Sequence, residues 1–403
     1  MALMPIAATP PMPAPLSLSA RAGALQPSLT LAIVAKARQL RADGRDICSL
    51  SAGEPDFDTP AFIRQAATAA LEGGHTRYGP VAGEPALRQA IATKLQQENG
   101  VTISHDQVLV TNGGKQALYN LFQVLLDPGD EVLLPSPYWL SYPEMVRLTG
   151  ATVRLLPSTA ESGFRLDPAQ LEAAITPATR LLVLNTPSNP TGMVMRRDEI
   201  EAVAEVLRRH PRVAVVCDEI YEFLTAPGHA HNCFAAVAPD LADRILLVNG
   251  FAKGWAMTGW RVGWLVGPAH VVAAAAALQS QSTSNVCTFA QFGALAAIEG
   301  SRDCVRAMAR QFDERRALLS ERLLAIDGIR LLPPEGAFYA FPDVSAWGLD
   351  SMTLCNRLLE DVGLAVVPGV AFGDDRCIRL SCAASEATIN DGVDRLERLL
   401  TAL

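Results

Sequence analysis

Short apolar runs, rich in leucine and β-branched residues, alternate with helical patterns between Gln107 and Pro268. Most of the runs end in Gly, Pro, Asn or Asp; they are QVLVTNG, EVLLPSP, ATVRLLP, RLLVLNTP, VAVVCDE, RILLVNG and GWLVGP. Continuous apolar strands of this kind are typical of a sheet that is covered by helices on both faces. The pattern therefore predicts an α/β fold with a mainly parallel sheet.

The pattern changes near residue 300. A long amphipathic helix is predicted over residues 303–326, followed by short strands, a helix near residues 351–361 and a last helix over about 385–400. This second part has the pattern of a smaller α+β domain. The predicted division is a flexible N-terminal tail, a segment that packs with the small domain, a large domain and a small C-terminal domain, over residues 1–26, 27–50, 51–300 and 301–403.

Polar residues cluster where the predicted strands end. Asn112, Asn185, Asn189, Asp218 and Lys253 all follow such runs. In open α/β sheets, ligands bind outside the carboxyl ends of the strands. The sequence therefore predicts a binding site at this edge of the sheet.

Composition limits the class of protein. The chain has 403 residues, of which 49% are hydrophobic and 19% charged, with a net charge of −8. These values favour a folded protein and argue against nucleic acid as a partner. The eight cysteines form no CxxC pair and lack zinc-ligand spacing, so we expect no metal site and a reducing compartment. The apolar run VVAAAAALQS is too short to span a membrane, and we expect a cytoplasmic protein.

Lysine is rare in this chain. Of 34 basic residues only four are lysines: Lys36, Lys94, Lys115 and Lys253. An amine can lose its proton and become a nucleophile, whereas a guanidinium cannot. Lys253 follows a predicted strand and has glycine and tryptophan as sequence neighbours, so it is a candidate nucleophile. The presence of lysine at positions 36 and 94 is attributed to chance.

Each motif near the strand ends is weak by itself. An acid such as Asp218 is commonly a turn or cap residue, and TNGGKQAL suits a phosphate but lacks the P-loop pattern. Their joint order is specific: SAGEPDFDTP, RYGPVAGEPALRQAI, TNGGKQAL, PSPYWLSYPEM, LNTPSNPTG, CDEIYEFL, NGFAKGWAMTGWRVG, PEGAFYAFP, VPGVAFG and IRLSCA. This order resembles the class I aminotransferases of the pyridoxal-phosphate (PLP) fold-type I superfamily, from about residue 27 to residue 400. It is most similar to the bacterial subgroup of aspartate and prephenate aminotransferases.

The resemblance implies roles around the cofactor ring. Lys253 would hold PLP as a Schiff base and act as general acid and base. Asp218 would keep the pyridine nitrogen protonated, which makes the ring an electron sink. Tyr221 and Asn189 would hydrogen-bond the ring hydroxyl oxygen, and Trp139 would stack on the ring.

The resemblance also implies the groups at the cofactor phosphate and the subunit arrangement. Gly113, Gly114 and Arg261 would bind the phosphate, together with Tyr78 of the partner subunit. Lys115 follows the two glycines and belongs to both the cofactor and substrate sites. A homodimer with shared active sites is therefore implied.

For the substrate, the resemblance implies that Arg379 and the Gly53 backbone bind the α-carboxylate, with Trp139 and Asn189 beside it. Lys115 would meet the distal carboxylate of aspartate or glutamate. The alternative for Lys115 is a solvated lysine in the first turn of a helix, a position that the helix dipole disfavours.

The chain departs from the family pattern at several positions. Gln26 replaces a lysine and Gly79 a threonine that are usual in prephenate-using members, which weakens that assignment. Ala252 replaces a serine before the catalytic lysine. Gly254 with Trp255 and Cys382 replace other usual residues, and these changes raise the possibility of a reshaped pocket.

The main hypothesis is an aspartate:2-oxoglutarate aminotransferase with a ping-pong mechanism. A prephenate or aromatic aminotransferase is the alternative within the family. A PLP-dependent lyase or decarboxylase is a second class. A cofactor-sensing regulator is a third, disfavoured because the residues before the homology are Pro/Ala-rich and almost without basic charge.

Overall fold

The computed structural model describes residues 16–25 and 29–403. The helices within them are α1 (Ala20–Ala24), α2 (Leu29–Ala42), α3 (Ala61–Glu72), α4 (Pro85–Asn99), α5 (Gly114–Leu125), α6 (Ser141–Arg147), α7 (Pro168–Ala174), α8 (Arg197–Arg209), α9 (Phe234–Val237), α10 (Ala269–Ser282), α11 (Thr288–Glu299), α12 (Asp303–Leu324), α13 (Ser351–Asp361) and α14 (Glu386–Thr401). The strands are β1 (Cys48–Ser49), β2 (Val108–Thr111), β3 (Glu131–Ser136), β4 (Thr152–Pro157), β5 (Thr179–Asn185), β6 (Ala214–Asp218), β7 (Ile245–Gly250), β8 (Gly263–Val266), β9 (Tyr339–Ala340), β10 (Leu364–Ala365), β11 (Val367–Pro368) and β12 (Ile378–Ser381).

The seven predicted runs form one seven-stranded sheet, in the order β2-β8-β7-β6-β5-β3-β4. Every pairing is parallel except the two made by β8, which is antiparallel to β2 and β7. The prediction of an α/β fold with a mainly parallel sheet is confirmed.

Apolar clusters cover both faces of this sheet. In β5, Leu182 and Leu184 belong to one cluster, with residues of α4, α8 and α11, while Leu181 and Val183 belong to the other, with residues of α5 and α10. Successive strand residues point to opposite faces, so a strand buried on both sides is apolar throughout. This explains the continuous apolar runs in the sequence.

The C-terminal part has its own apolar core, formed by residues of α12, α13 and α14. A small antiparallel sheet in the order β11-β12-β9 lies within this part. Asp350 and Ser385 cap α13 and α14, each accepting a hydrogen bond from a backbone N–H of the first turn. These caps fix where the two helices begin.

The segment before β2 reaches this C-terminal part. Ala37 of α2 packs with Leu359 and Ala365, and β1 pairs with β10. Of the predicted N-terminal tail, residues 1–15 and Gln26 lie outside the described residues, and α1 occupies part of the remainder.

All eight cysteines lie within the described residues as free thiols, and six of them are buried. Within the same part of the chain, no helix is both long and apolar enough to cross a bilayer.

Candidate active site

Lys253 lies in the turn after β7, at the carboxyl edge of the sheet. Its Nζ donates a hydrogen bond to the carbonyl oxygen of Gly53 and lies 5.8 Å from the ring centre of Tyr221 and 5.5 Å from that of Phe338. Burial lowers the pKa of Lys253 from 10.5 to about 8; Glu54 opposes this shift. A far larger fraction of this amine is therefore free base near neutral pH than for a solvated lysine.

Asp218 ends β6 and is 6% exposed. The Tyr142 hydroxyl donates to its Oδ2 at 2.8 Å, and the N–H of Ile220 donates to its Oδ1 at 3.3 Å. Burial raises the pKa of Asp218 to about 6, although both hydrogen bonds act to lower it. No lysine or arginine in the described ranges pairs with Asp218, so this acid is suited to a cationic partner supplied from outside the chain.

Tyr142 is a site residue that the sequence analysis missed. It lies on α6, is buried, and its ring packs edge-on against Trp139 at 5.2 Å. Tyr142 comes three residues after Trp139, a spacing that places two side chains on one side of a helical turn. That spacing was the signal available in PSPYWLSYPEM.

Arg379 and Asn189 meet on the opposite side of the site. Arg379 is 2% exposed; its guanidinium donates to Asn189 Oδ1 at 3.0 Å and to the Ser51 carbonyl at 3.1 Å. The same group lies 4.3 Å from the ring centre of Tyr339. Its Nε is buried and has no hydrogen-bond partner among the described residues. A buried, fixed guanidinium with an unused donor is suited to a carboxylate.

Gly113, Gly114 and Arg261 come together at the start of α5. Gly113 has a φ of 78°, and a Cβ at this position would lie 2.7 Å from Arg261 Nη2. The same guanidinium group donates to the Asn112 carbonyl at 3.3 Å. Backbone N–H groups at a helix start, beside an arginine, form a site for a phosphate or another anion.

Lys115 lies in the first turn of α5, with Nζ 4.9 Å from the ring centre of Trp139. Burial, and then the charge of Arg261, lower the pKa of Lys115. Two cations in one half-buried region favour an anionic ligand. Tyr78 is 91% exposed, on the loop between α3 and α4, and makes none of these contacts.

The departures from the family pattern have local explanations. A Cβ at Gly254 would lie 2.7 Å from the ring of Phe223, which packs edge-on against Trp255 at 5.0 Å. A side chain at position 254 would therefore require the Phe223 ring to move. Cys382 is fully buried in the apolar core of the C-terminal part. A Cβ at Gly79 would lie 2.6 Å from the Glu84 carboxylate.

A lysine of lowered pKa, a buried acid and a buried arginine at the carboxyl edge of a parallel sheet define an enzyme of the α/β class with its active site at that edge. The sequence model of the family described as Aminotransferase class I and II matches residues 45–396. The chain belongs to this family and is an enzyme that transfers amino groups.

Relatives and solved structures agree with this assignment. The chain is 46% identical over 386 residues to the aspartate/prephenate aminotransferase of Thermus thermophilus, covering 95% of this chain and 98% of the relative. It is 42% identical over 394 residues to the aspartate aminotransferase of Geobacillus stearothermophilus, covering 96% and 100%. The structure of the Thermus thermophilus aspartate aminotransferase with maleate superposes with a TM-score of 0.92 at 45% identity, covering 95% of this chain and 100% of that one.

Proposed function

We propose that this enzyme uses pyridoxal 5′-phosphate to move the amino group between L-aspartate or L-glutamate and the corresponding 2-oxo acids, oxaloacetate and 2-oxoglutarate. The observation that carries the proposal is the convergence of Lys253, Asp218 and Arg379 from three distant segments on one edge of the sheet. The names of the relatives, which include aspartate and prephenate as substrates, support the dicarboxylate class.

The residues fit this cofactor. Asp218 is a buried acid that forms no salt bridge with a lysine or arginine of the described residues, although Lys253 is near enough to lower its pKa, and a protonated pyridine nitrogen would supply a direct cationic partner. Gly113, Gly114 and Arg261 offer the phosphate its anion site. Lys253 would hold the aldehyde carbon, Trp139 would lie against the ring, and Tyr221 and Asn189 would face the ring oxygen.

When bound, pyridoxal phosphate supplies an electron-withdrawing ring that stabilises negative charge at the substrate Cα. The Lys253 amine, set free when the substrate amine replaces it on the aldehyde carbon, would take the proton from the substrate Cα and return a proton to the aldehyde carbon. Its lowered pKa suits this double role, because a general acid and base works best with a pKa near the pH of the reaction. Asp218 remains ionised beside the ring nitrogen and keeps that nitrogen protonated.

Two cationic side chains, Arg379 and Lys115, would recognise the two carboxylates of the substrate. Arg379 would bind the α-carboxylate, held in place by its bonds to Asn189 and Ser51, with the Gly53 backbone adjacent. Lys115 would pair with the distal carboxylate of a dicarboxylic substrate. The two side chains together favour aspartate and glutamate over monocarboxylic amino acids.

We also propose a cytoplasmic homodimer. Tyr78 is an exposed aromatic residue on an outward loop, as expected for a side chain that serves the site of a neighbouring copy. The eight free thiols favour a reducing compartment such as the cytoplasm.

Product analysis tests the proposed reaction. Purified enzyme loaded with pyridoxal phosphate is mixed with L-aspartate and 2-oxoglutarate, and oxaloacetate and glutamate are quantified by chromatography. The proposal expects equal amounts of both products. A parallel reaction with phenylpyruvate, a monocarboxylic acceptor, would contradict the dicarboxylate preference if its kcat/KM exceeds that for 2-oxoglutarate, whereas a higher value with prephenate, itself a dicarboxylate, would favour the prephenate alternative.

The lowered pKa of Lys253 predicts how cofactor capture depends on pH. Only the free amine attacks an aldehyde, so the rate of covalent attachment of pyridoxal phosphate to the cofactor-free protein should rise with a midpoint near pH 8 rather than near 10.5. Borohydride trapping followed by peptide mass spectrometry measures attachment at Lys253 alone. A midpoint near 10.5 would show that burial does not perturb this amine.

Replacing Lys115 by methionine tests recognition of the distal carboxylate. The unbranched methionine side chain keeps most of the apolar stem but loses the ammonium group, which also lies over the Trp139 ring, so kcat/KM for L-aspartate should fall about 10- to 100-fold, the loss typical of one charged hydrogen bond. The value for L-phenylalanine should change less than about threefold. An equal loss for both amino acids would instead assign Lys115 to the cofactor.

A further inference from the structure

The hydroxyl groups of Tyr221 and Tyr339 form a buried pair between the two halves of the site. Their Oη atoms are 3.0 Å apart, and either can be the donor. The Tyr221 ring lies near Lys253 Nζ, and the Tyr339 ring lies against the guanidinium group of Arg379. A Cβ at Gly53 would lie 3.7 Å from Tyr339 Oη. One hydroxyl therefore belongs to the cofactor side and the other to the carboxylate side.

The backbone fixes this pair in place. The N–H of Ala337 donates to the Leu224 carbonyl, and the N–H of Ala226 donates to the Glu335 carbonyl, both at 2.7 Å. These bonds join the turn that follows Tyr221 to the segment that leads into β9. In the small antiparallel sheet, Tyr339 of β9 lies opposite Ser381 of β12. Ser381 is two residues from Arg379 on the same strand. The contact is therefore part of the fold and not a chance approach of two mobile side chains.

The two hydroxyls have two protons and use only one of them on each other. Burial raises the pKa of both phenols, so both stay protonated at neutral pH. If Tyr339 donates to Tyr221, the Tyr221 hydrogen remains for the ring oxygen of the cofactor. If Tyr221 donates to Tyr339, the Tyr339 hydrogen remains for an acceptor on the side of Arg379 and Gly53.

We propose that Tyr339 is a positioning residue that couples binding of the substrate carboxylate to hydrogen bonding at the cofactor ring oxygen, through reversal of the Tyr221–Tyr339 hydrogen bond. A carboxylate held by Arg379 is a strong acceptor on the Tyr339 side. When the Tyr339 hydroxyl donates to this carboxylate, the Tyr221 hydroxyl donates to Tyr339. Tyr221 then no longer donates a hydrogen bond to the ring oxygen. The inference rests on the proposed function, because it needs both the cofactor and a carboxylate ligand.

The coupling has a spectroscopic consequence. A ring oxygen that loses its donor carries negative charge less readily, so the pH at which the absorbance of the bound cofactor titrates should rise when the carboxylate site is filled. Neutralisation of Arg379 by the ligand acts in the same direction. The charged and titratable groups that face the pair are Arg379, Lys253, Asp218 and Cys382, and removal of the Tyr339 hydroxyl replaces none of them.

The test is Tyr339→Phe, which keeps the ring against Arg379. The absorbance of the cofactor-loaded protein is titrated against pH with and without succinate, an unreactive dicarboxylate. We expect succinate to raise the titration midpoint in the variant by about 0.5 to 1 unit less than in the wild type, the size of one neutral hydrogen bond. The Kd for succinate should stay within about threefold, because Arg379 keeps its contacts.

Two further variants complete the design. Tyr221→Phe removes the other hydroxyl and should reduce the succinate-dependent shift in the same way, so the proposal stays testable if one variant fails to fold. Tyr119→Phe, on α5, removes a hydroxyl remote from the pair and should give the wild-type shift. A wild-type shift in Tyr339→Phe or in Tyr221→Phe would overturn the coupling. The proposed function itself fails only if the wild type takes up no cofactor or does not respond to aspartate.

Discussion

Replacing Lys253 by alanine is expected to lower kcat by about 10⁴-fold or more and to abolish covalent attachment of the cofactor. The expected loss has this size because a positioned acid and base alone contributes about 10²- to 10⁴-fold, and the same amine also holds the cofactor. The measurements are single-turnover kinetics with L-aspartate and the mass of the borohydride-reduced protein. The reduced variant should carry no added mass.

Two variants separate chemistry from charge in this experiment. Lys253→Arg keeps a positive charge but cannot become a free amine, so it should be as inactive as alanine. Lys36→Ala removes an exposed lysine that pairs with Glu360 and should leave kcat unchanged. Activity within tenfold of the wild type in Lys253→Arg would contradict the assigned role.

Asp218→Asn is expected to lower kcat by about 10³-fold, in the range that one preorganised charge supplies. The amide keeps the size of the side chain and can still accept the Tyr142 hydrogen bond, but it cannot balance a protonated pyridine nitrogen. Asp240→Asn is the matched control, because Asp240 is half-exposed and pairs with Arg208 at the surface instead of with a residue of the site. A kcat reduced less than tenfold in Asp218→Asn would remove Asp218 from the mechanism.

The same variant tests the electrostatic cost of Asp218 in the cofactor-free protein. The pKa of Asp218 in the folded protein, about 6, lies above the usual 3.8. Its contribution to the free energy of unfolding is therefore greatest below pH 3.8 and is lost as the pH rises through about 6. At pH 8 the wild type therefore contains an unfavourable buried charge that the variant lacks. Cofactor-free Asp218→Asn should melt at least as high as the wild type at pH 8, with a smaller difference at pH 5. A variant that melts lower at both pH values would contradict this cost.

Most of the large sheet could be predicted from the sequence because each strand has a local signal. Runs such as RLLVLNTP are apolar throughout since Leu181 and Leu182 face opposite clusters. The direction of a strand has no such signal. GWLVGP reads like its neighbours, yet β8 is antiparallel to both strands beside it.

The site could be predicted only in part. Residues at strand ends, such as Asp218 and Lys253, are visible because sheet topology brings those ends together. Tyr142 and Tyr339 were missed because their roles depend on contacts with Asp218 and Tyr221, which lie 76 and 118 residues away. The spacing from Trp139 is the one local signal for Tyr142, and nothing in the local pattern distinguishes Tyr339 from a core aromatic residue.

The departures at Gly254 and Cys382 show a second limit. From the sequence alone they raise the possibility of a reshaped pocket. In the structure Gly254 makes room for Phe223, and Cys382 lies in the apolar core of the C-terminal part. Whether a substitution lies in a pocket or in a core depends on tertiary packing, which a motif comparison does not include.

The most direct test of the central claim is a half-reaction with one substrate. Cofactor-loaded enzyme is mixed with excess L-aspartate and no 2-oxo acid, and the released oxaloacetate is counted per active site while the cofactor absorbance is followed. An aminotransferase with a ping-pong cycle should release one equivalent and stop, with complete loss of the initial absorbance band, and 2-oxoglutarate should restore that band. Continued release of a carbonyl product without an acceptor, or no change with aspartate, would contradict the account.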